Sequence, residues 1–439
     1  MTAVAVAIVM GLRPPAPVDE RMDSGIADAE KSPEIPKPTI VLPATPATFE
    51  AGELRNELKK SGQDLLKRYP ELPAAIHAVA LLDMDLQQTQ EAVDLWRQCI
   101  ELDPKHAGPY VGFARAAMEL GNDEEAKVAL RKGLAAGCSS PEIYYELTAA
   151  LIKLSELEEA EAVAQQGLAA FPKSAPNWLQ LGQVQLQRQR FPEAEKSLTT
   201  AKDCGEKSDT VYFSLASACA AQGKTEDAAK HRQEFAARKA QQSSASEKPF
   251  QSRYDAELRN IAVAATGRIA AVYERQGAPA EAERLLMRSM SLDPQNPVVC
   301  GEFVTFLRKS GRIADALLAQ RRLTEIEPAE VRHYINLASL ASETGDLALA
   351  ESASKQVVSM RPDLAIGYVS LAQLYFRGGD FKQAKWFAES ALKQQAMDRT
   401  EALRACGVLA ESSRAMGDET TAAQADSMIQ QLMSDSPKP

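Results

Sequence analysis

Apolar residues along this chain fall into helix-length stretches with three- and four-residue spacing. Leu54, Leu58, Leu65 and Leu66 lie on one helical face that ends at Tyr69-Pro70. In the stretch 175–208, Trp178, Leu181, Leu186 and Leu198 supply the apolar positions of two helices. Gly182 is small where those helices cross, and Pro192 sits in the first turn of the second, where its missing N–H costs nothing. Tyr254, Leu258, Ile261, Ala265, Ile269, Val272 and Tyr273 keep helical spacing through a further stretch.

The pairs of helices repeat. Alanine recurs at 92, 126, 160, 194 and 228, then at 282, 316, 350 and 384; seven of the eight intervals are 34 residues and one is 54. A fixed period of this length predicts stacked supersecondary units, each too small to bury its own core. Gly121, Gly223, Gly277, Gly311, Gly345 and Gly379 close first helices, where a left-handed residue is wanted. Prolines 104, 172, 294, 328 and 362 break the chain between units.

The pattern predicts this organisation. Residues 1–48 are a disordered proline-rich segment with a short apolar start, and 49–72 is a capping helix. Residues 73–242 form a first block of five repeats. Residues 243–252, polar in sequence, are a linker loop. Residues 253–398 form a second block of four repeats whose first helix is lengthened backwards to about Arg253. Residues 399–433 are a degenerate C-terminal capping repeat, and 434–439 a fraying tail.

Composition refines the picture without changing it. Of 439 residues, 45% are apolar and only 6% aromatic, which with abundant alanine favours closely packed helices. The formal net charge of −10 disfavours nonspecific binding to nucleic acid or anionic lipid. The six cysteines form no CxxC pair and read as buried, reduced thiols. The run Ala3–Leu12 is too short to span a bilayer as a helix. It resembles the apolar part of a secretion signal, yet no Lys or Arg precedes it. Two localisations stay open: cytoplasmic, or exported and membrane-tethered through that N-terminal run.

These residues resemble the tetratricopeptide repeat, whose pattern is W-x2-L-G-x2-Y followed by a glycine, an alanine, a large residue and a proline. Trp178-x2-Leu181-Gly182 matches the opening, with Gln185 in place of the tyrosine; Tyr273 and Tyr375 fill that slot in their own units. Trp96 takes the large position after Ala92. The resemblance covers 73–242 and 263–398. It implies an all-α fold, a right-handed α-α superhelix (solenoid) of about nine to ten helix-turn-helix units. It also implies a concave groove, lined by first helices, that holds a peptide or a partner's helix.

Carried onto this sequence, the family's groove positions present His77, Leu81, Met84, Val111, Arg115, Met118, Tyr145, Leu179, Gln183 and Phe213 in the first block. This stripe is largely apolar and suits an apolar or amphipathic segment. Packing against neighbouring repeats, or against the protein's own N-terminal segment, remains an equal alternative. The second block presents Arg268, Arg308, Arg332, Asn336, Gln373 and Phe376, a more polar stripe. Gly301 and Thr305 stand where the chaperone-binding members of the family carry Lys and Asn, which disfavours a cochaperone role.

No catalytic, cofactor-binding or metal-ligating constellation is legible. GxxxxGK[ST], HExxH and GxSxG are all missing, and the four histidines fall in distant repeats. The sequence therefore reads as a noncatalytic scaffold for one or more protein or peptide partners. No cofactor, small-molecule substrate or nucleic acid is expected, and a membrane only through an N-terminal tether. A tethered or exported adaptor of an envelope or secretion assembly is the alternative, with an enzyme's regulatory subunit behind it. A homodimer through incompletely covered end repeats is left open.

Overall fold

The structure, a computed structural model, describes residues 36–245 and 250–434. Among the described residues there are 21 helices and no strand. Helix α1 spans Ala51–Arg68. Five pairs follow: α2 (Pro73–Asp85) with α3 (Thr89–Leu102), α4 (Ala107–Glu119) with α5 (Asp123–Ala135), and α6 (Pro141–Lys153) with α7 (Leu157–Ala170). The fourth and fifth are α8 (Ala175–Gln187) with α9 (Phe191–Asp203), and α10 (Asp209–Ala221) with α11 (Thr225–Ala245). Then come α12 (Phe250–Arg275) with α13 (Pro279–Leu292), α14 (Pro297–Lys309) with α15 (Ile313–Ile326), and α16 (Val331–Thr344) with α17 (Leu347–Met360). The chain continues with α18 (Ala365–Arg377) and α19 (Phe381–Ala391), and ends with α20 (Arg399–Ala415) and α21 (Glu419–Ser434).

The periodic alanines are the reason these helices pair. All nine are buried, none more than 1% exposed, because each lies where its second helix meets its first. A larger side chain there has nowhere to go. The same crossing explains Gly182, at which a Cβ would lie 2.5 Å from Leu198 Cγ. Turn chemistry follows the sequence too. The six glycines that close first helices have positive φ, and where glycine is missing Gln87, Ser155 and Gln189 take the left-handed conformation instead.

Contacts divide the chain into two units. One is Ala47–Leu292; the other runs from Asp293 onward and includes the described residues up to Pro46. This differs from the blocks expected at 73–242 and 253–398. Helices α12 and α13 belong with α1–α11, because α12 packs on α1 and α2. Leu258, Ala262, Ala265 and Ile269 are buried on α12, as are Leu54, Leu58 and Leu65 on α1. Polar contacts between residues 183 to 231 positions apart accompany that packing. Arg288 holds both oxygens of Glu57 at 2.8 and 2.7 Å, Arg55 Nε donates to Tyr254 Oη at 2.8 Å, and Arg268 pairs with Asp85. The Tyr69 and Tyr273 rings meet edge to face at 6.0 Å.

Two further expectations need correction. Most of the linker expected at 243–252 is not loop among the described residues: α11 extends to Ala245, and α12 starts at Phe250, directly after Pro249. Residues 246–249 lie outside the described residues. The disordered segment expected to reach residue 48 is placed from Pro36 on, because Thr39 and Ile40 donate to the carboxylate of Asp315. The apolar run 3–12 lies outside the described residues. Among the described residues no helix is long and apolar enough to cross a membrane.

Candidate functional site

In the unit of Ala47–Leu292 the first helices of successive pairs lie side by side: α4 against α6, α6 against α8, and α8 against α10. Their shared face borders a cavity of about 1000 Å³. Arg115 of α4, Tyr145 of α6, and Leu179 and Gln183 of α8 line it. The groove positions inferred from the repeat pattern thus converge on one hollow in three consecutive units. Their register explains this, since 34-residue spacing brings matching helix faces into line.

The lining has a second contribution that helix positions alone did not reveal. Phe171, Pro172 and Lys173, from the connection between α7 and α8, form part of the wall, with Pro176 in the first turn of α8. A signal for them was present. Phe171-Pro172 stands where the units ending at 104, 294 and 328 carry Asp-Pro or Glu-Pro, so an aromatic ring replaces a carboxylate at the cavity edge. The Phe171 ring lies 6.2 Å from that of Tyr144, tilted against it.

The polar groups of the cavity divide into two kinds. Arg115 is already engaged: its Nε donates to Glu146 Oε1 at 2.5 Å. Burial raises the pKa of the Glu146 carboxyl, and Arg115 opposes that shift. Among the described residues the Tyr145 hydroxyl, the Gln183 amide and the Lys173 ammonium have no hydrogen-bond or ion partner. The wall therefore offers a donor cation, an amide and a phenol beside Phe171 and Leu179.

The other first-block positions serve different ends. Val111 and Met118 are buried in the core between units, 8% and 9% exposed. Leu81 and Met84 pack half-buried against that core. His77 is half-buried, and its Nδ1 accepts from the Trp96 indole N–H at 3.0 Å. Burial, with His106 and Arg268 adding to it, pushes the His77 pKa down to about 4, so the ring is neutral and can accept. Phe213 is 58% exposed and contacts the Phe235 ring at 5.8 Å.

The second stripe is dispersed. Arg268 is paired with Asp85 on α2. In the unit from Asp293 onward, Arg308 and Asn336 border a smaller hollow of about 350 Å³ with Thr305 and Leu340. Arg308 pairs with Glu343 at 2.9 Å and Arg332 with Glu330 at 3.0 Å. Gln373 and Phe376 are half-buried on α18, and the Phe376 ring lies 5.6 Å from Phe381. Among the described residues all six cysteines are free thiols, and Cys204 alone is exposed. No group of three or more His, Cys, Asp or Glu among the described residues is placed to hold a metal ion.

Comparison with known proteins gives the class. Family models described as "Tetratricopeptide repeat" match residues 83–151, residues 150–209 and 179–243, and residues 331–364. The chain thus carries tetratricopeptide repeats over residues 83–243 and 331–364, within an all-α repeat fold. The solved structures it resembles include the crystal structure of MamA, at 18% identity over 37% of this chain and 95% of that one, with a TM-score of 0.33. They include MamA 41-end from Desulfovibrio magneticus RS-1, at 16% identity over 40% and 98%, TM-score 0.35. The APC/C hetero-tetramer Cut9-Hcn1 matches at 13% identity over 81% and 86%, TM-score 0.31. No curated protein sequence matches the chain.

Proposed function

We propose that this protein is a noncatalytic scaffold that holds a segment of a protein partner against the concave face of α4, α6, α8 and α10. The observation that carries the reading is the cavity of about 1000 Å³ in which Tyr145, Gln183 and Lys173 have no partner among the described residues. A groove of this kind gains affinity from a few buried aromatic or aliphatic anchors and selects its ligand by hydrogen bonds at the rim. Phe171 and Leu179 are suited to be the anchor contacts, and Lys173 and Gln183 to be the selective ones. A partner segment with one large apolar side chain and a nearby carboxylate answers that chemistry.

The test compares the full chain with a variant carrying Tyr145→Ala, Lys173→Glu and Gln183→Ala. None of these side chains is buried, so circular dichroism should show unchanged helicity. In quantitative capture from native lysate, a partner retained by the wild type should fall at least about ten-fold with the variant, since tenfold corresponds to ~1.4 kcal/mol. Equal retention by both proteins would remove the groove as the binding site.

A further inference from the structure

Residues 36–46 follow an extended path along α15, the second helix of its pair rather than a groove-lining first helix. One carboxylate anchors them. The Thr39 N–H donates to Asp315 Oδ1 at 2.5 Å and the Thr39 hydroxyl to Oδ2 at 2.8 Å. The Ile40 N–H also donates to Oδ1, at 3.3 Å. Arg312 Nη2 donates to the Thr39 hydroxyl oxygen at 3.1 Å and Arg312 Nε to Asp315 Oδ2 at 2.8 Å. Further along, Arg322 Nη2 donates to the carbonyls of Pro43 and Ala44, both at 3.4 Å.

Asp315 precedes the periodic Ala316; at the same place before Ala282, Glu281 pairs with Arg68. Glu125 pairs with Arg97 and Glu159 with Arg131, each an arginine of the preceding repeat. Asp315 instead takes its donors from Arg312, which caps the N-terminus of α15, and from a threonine 276 positions away. It is only 3% exposed, and a carboxylate so buried is costly without several donors. Burial would raise its pKa, but the Thr39 and Arg312 donors outweigh that and hold it below the usual carboxylate range. The extended segment, by contrast, buries little. Thr39 is exposed, Val41 is 85% exposed, and Ile40 and Leu42 are half-buried. A segment held by polar contacts with so little apolar burial opens at small cost.

We propose that Asp315, Arg312 and Arg322 form a binding site for an extended peptide, and that Pro36–Pro46 is its resident, exchangeable ligand. The ligand class is a segment with a Thr or Ser whose hydroxyl and N–H, with the next N–H, meet the carboxylate. Its carbonyls four and five residues further on meet Arg322. A partner's segment of that pattern binds by displacing the resident one. No residue of this site lines the cavity, so either proposal can fail alone.

The experiment uses the full chain and a fluorescein-labelled peptide of sequence PKPTIVLPATP, residues 36–46. Thr39→Asp sets a second carboxylate against Asp315 and unseats the resident segment. The Thr39→Asp chain should bind the peptide at least about ten-fold tighter than the wild type, whose site is filled. Adding Asp315→Asn should abolish that gain, and so should replacing the peptide's threonine by valine. If the Asp315→Asn chain loses its helical circular dichroism, adding Arg322→Met to Thr39→Asp takes its place, with a loss of several-fold. Equal binding to wild type and Thr39→Asp, or no binding to either, would overturn the proposal, as would indifference to the threonine.

Discussion

Helix α1 and the segment 36–46 adjoin in sequence but are held in opposite ways. Helix α1 presents Leu54, Leu58 and Leu65, all 1% exposed or less, and is covered by α2 and α12. Burying three leucines contributes several kcal/mol, at about 1.5–3 kcal/mol for each side chain. The extended segment buries no side chain completely and is held by three donors to one carboxylate and by Arg312 and Arg322. Net hydrogen bonds to a charged group contribute about 1.5–3 kcal/mol each, against the entropy of ordering the chain. Apolar periodicity therefore builds a fixed element, and a polar latch builds a conditional one.

The largest effect should come from breaking the apolar side. Leu65→Ala removes a fully buried side chain and should cost about 2–5 kcal/mol, read as a lower denaturant midpoint for the unit of Ala47–Leu292. A loss below ~1 kcal/mol would mean that α1 is no more firmly held than the extended segment. Next is the latch. The folded pKa of Asp315 is depressed, so its contribution is present above the ordinary carboxylate value of ~3.9 and lost as pH falls through the lower folded value. Hydrogen exchange at the Thr39 and Ile40 amides should thus stay protected down to about pH 4 and lose protection below it. Protection already lost near pH 6 would contradict the depressed value. The smallest effect belongs to Val41→Ser, which at 85% exposure should change stability by less than ~0.5 kcal/mol. A larger loss would show that Val41 is covered in solution and would narrow the contrast.

Much of the fold was legible because it is periodic. The alanine register marked nine helix crossings, and the six closing glycines marked six of the turns within pairs. Of the candidate groove residues named by register, Arg115, Tyr145, Leu179 and Gln183 line one cavity. Phe171 and Lys173 were not, because they lie in a connection that helical periodicity does not describe. Arg268 illustrates the other limit. Its place in the repeat suggested an open groove, yet its partner is Asp85, 183 positions earlier.

By itself, then, the sequence determined the repeat, the pairing of helices and the buried alanines, since each follows from spacing within about one unit of 34 residues. Tertiary structure alone decided that α12 packs on α1 and α2, that the chain divides at Asp293, and that Thr39 meets Asp315. Those contacts join residues some 180 to 280 positions apart, and no local period encodes which of several similar helix faces finds which. The choice falls to complementarity of particular side chains: leucines against the apolar face of α12, and two amides and a hydroxyl against one buried carboxylate.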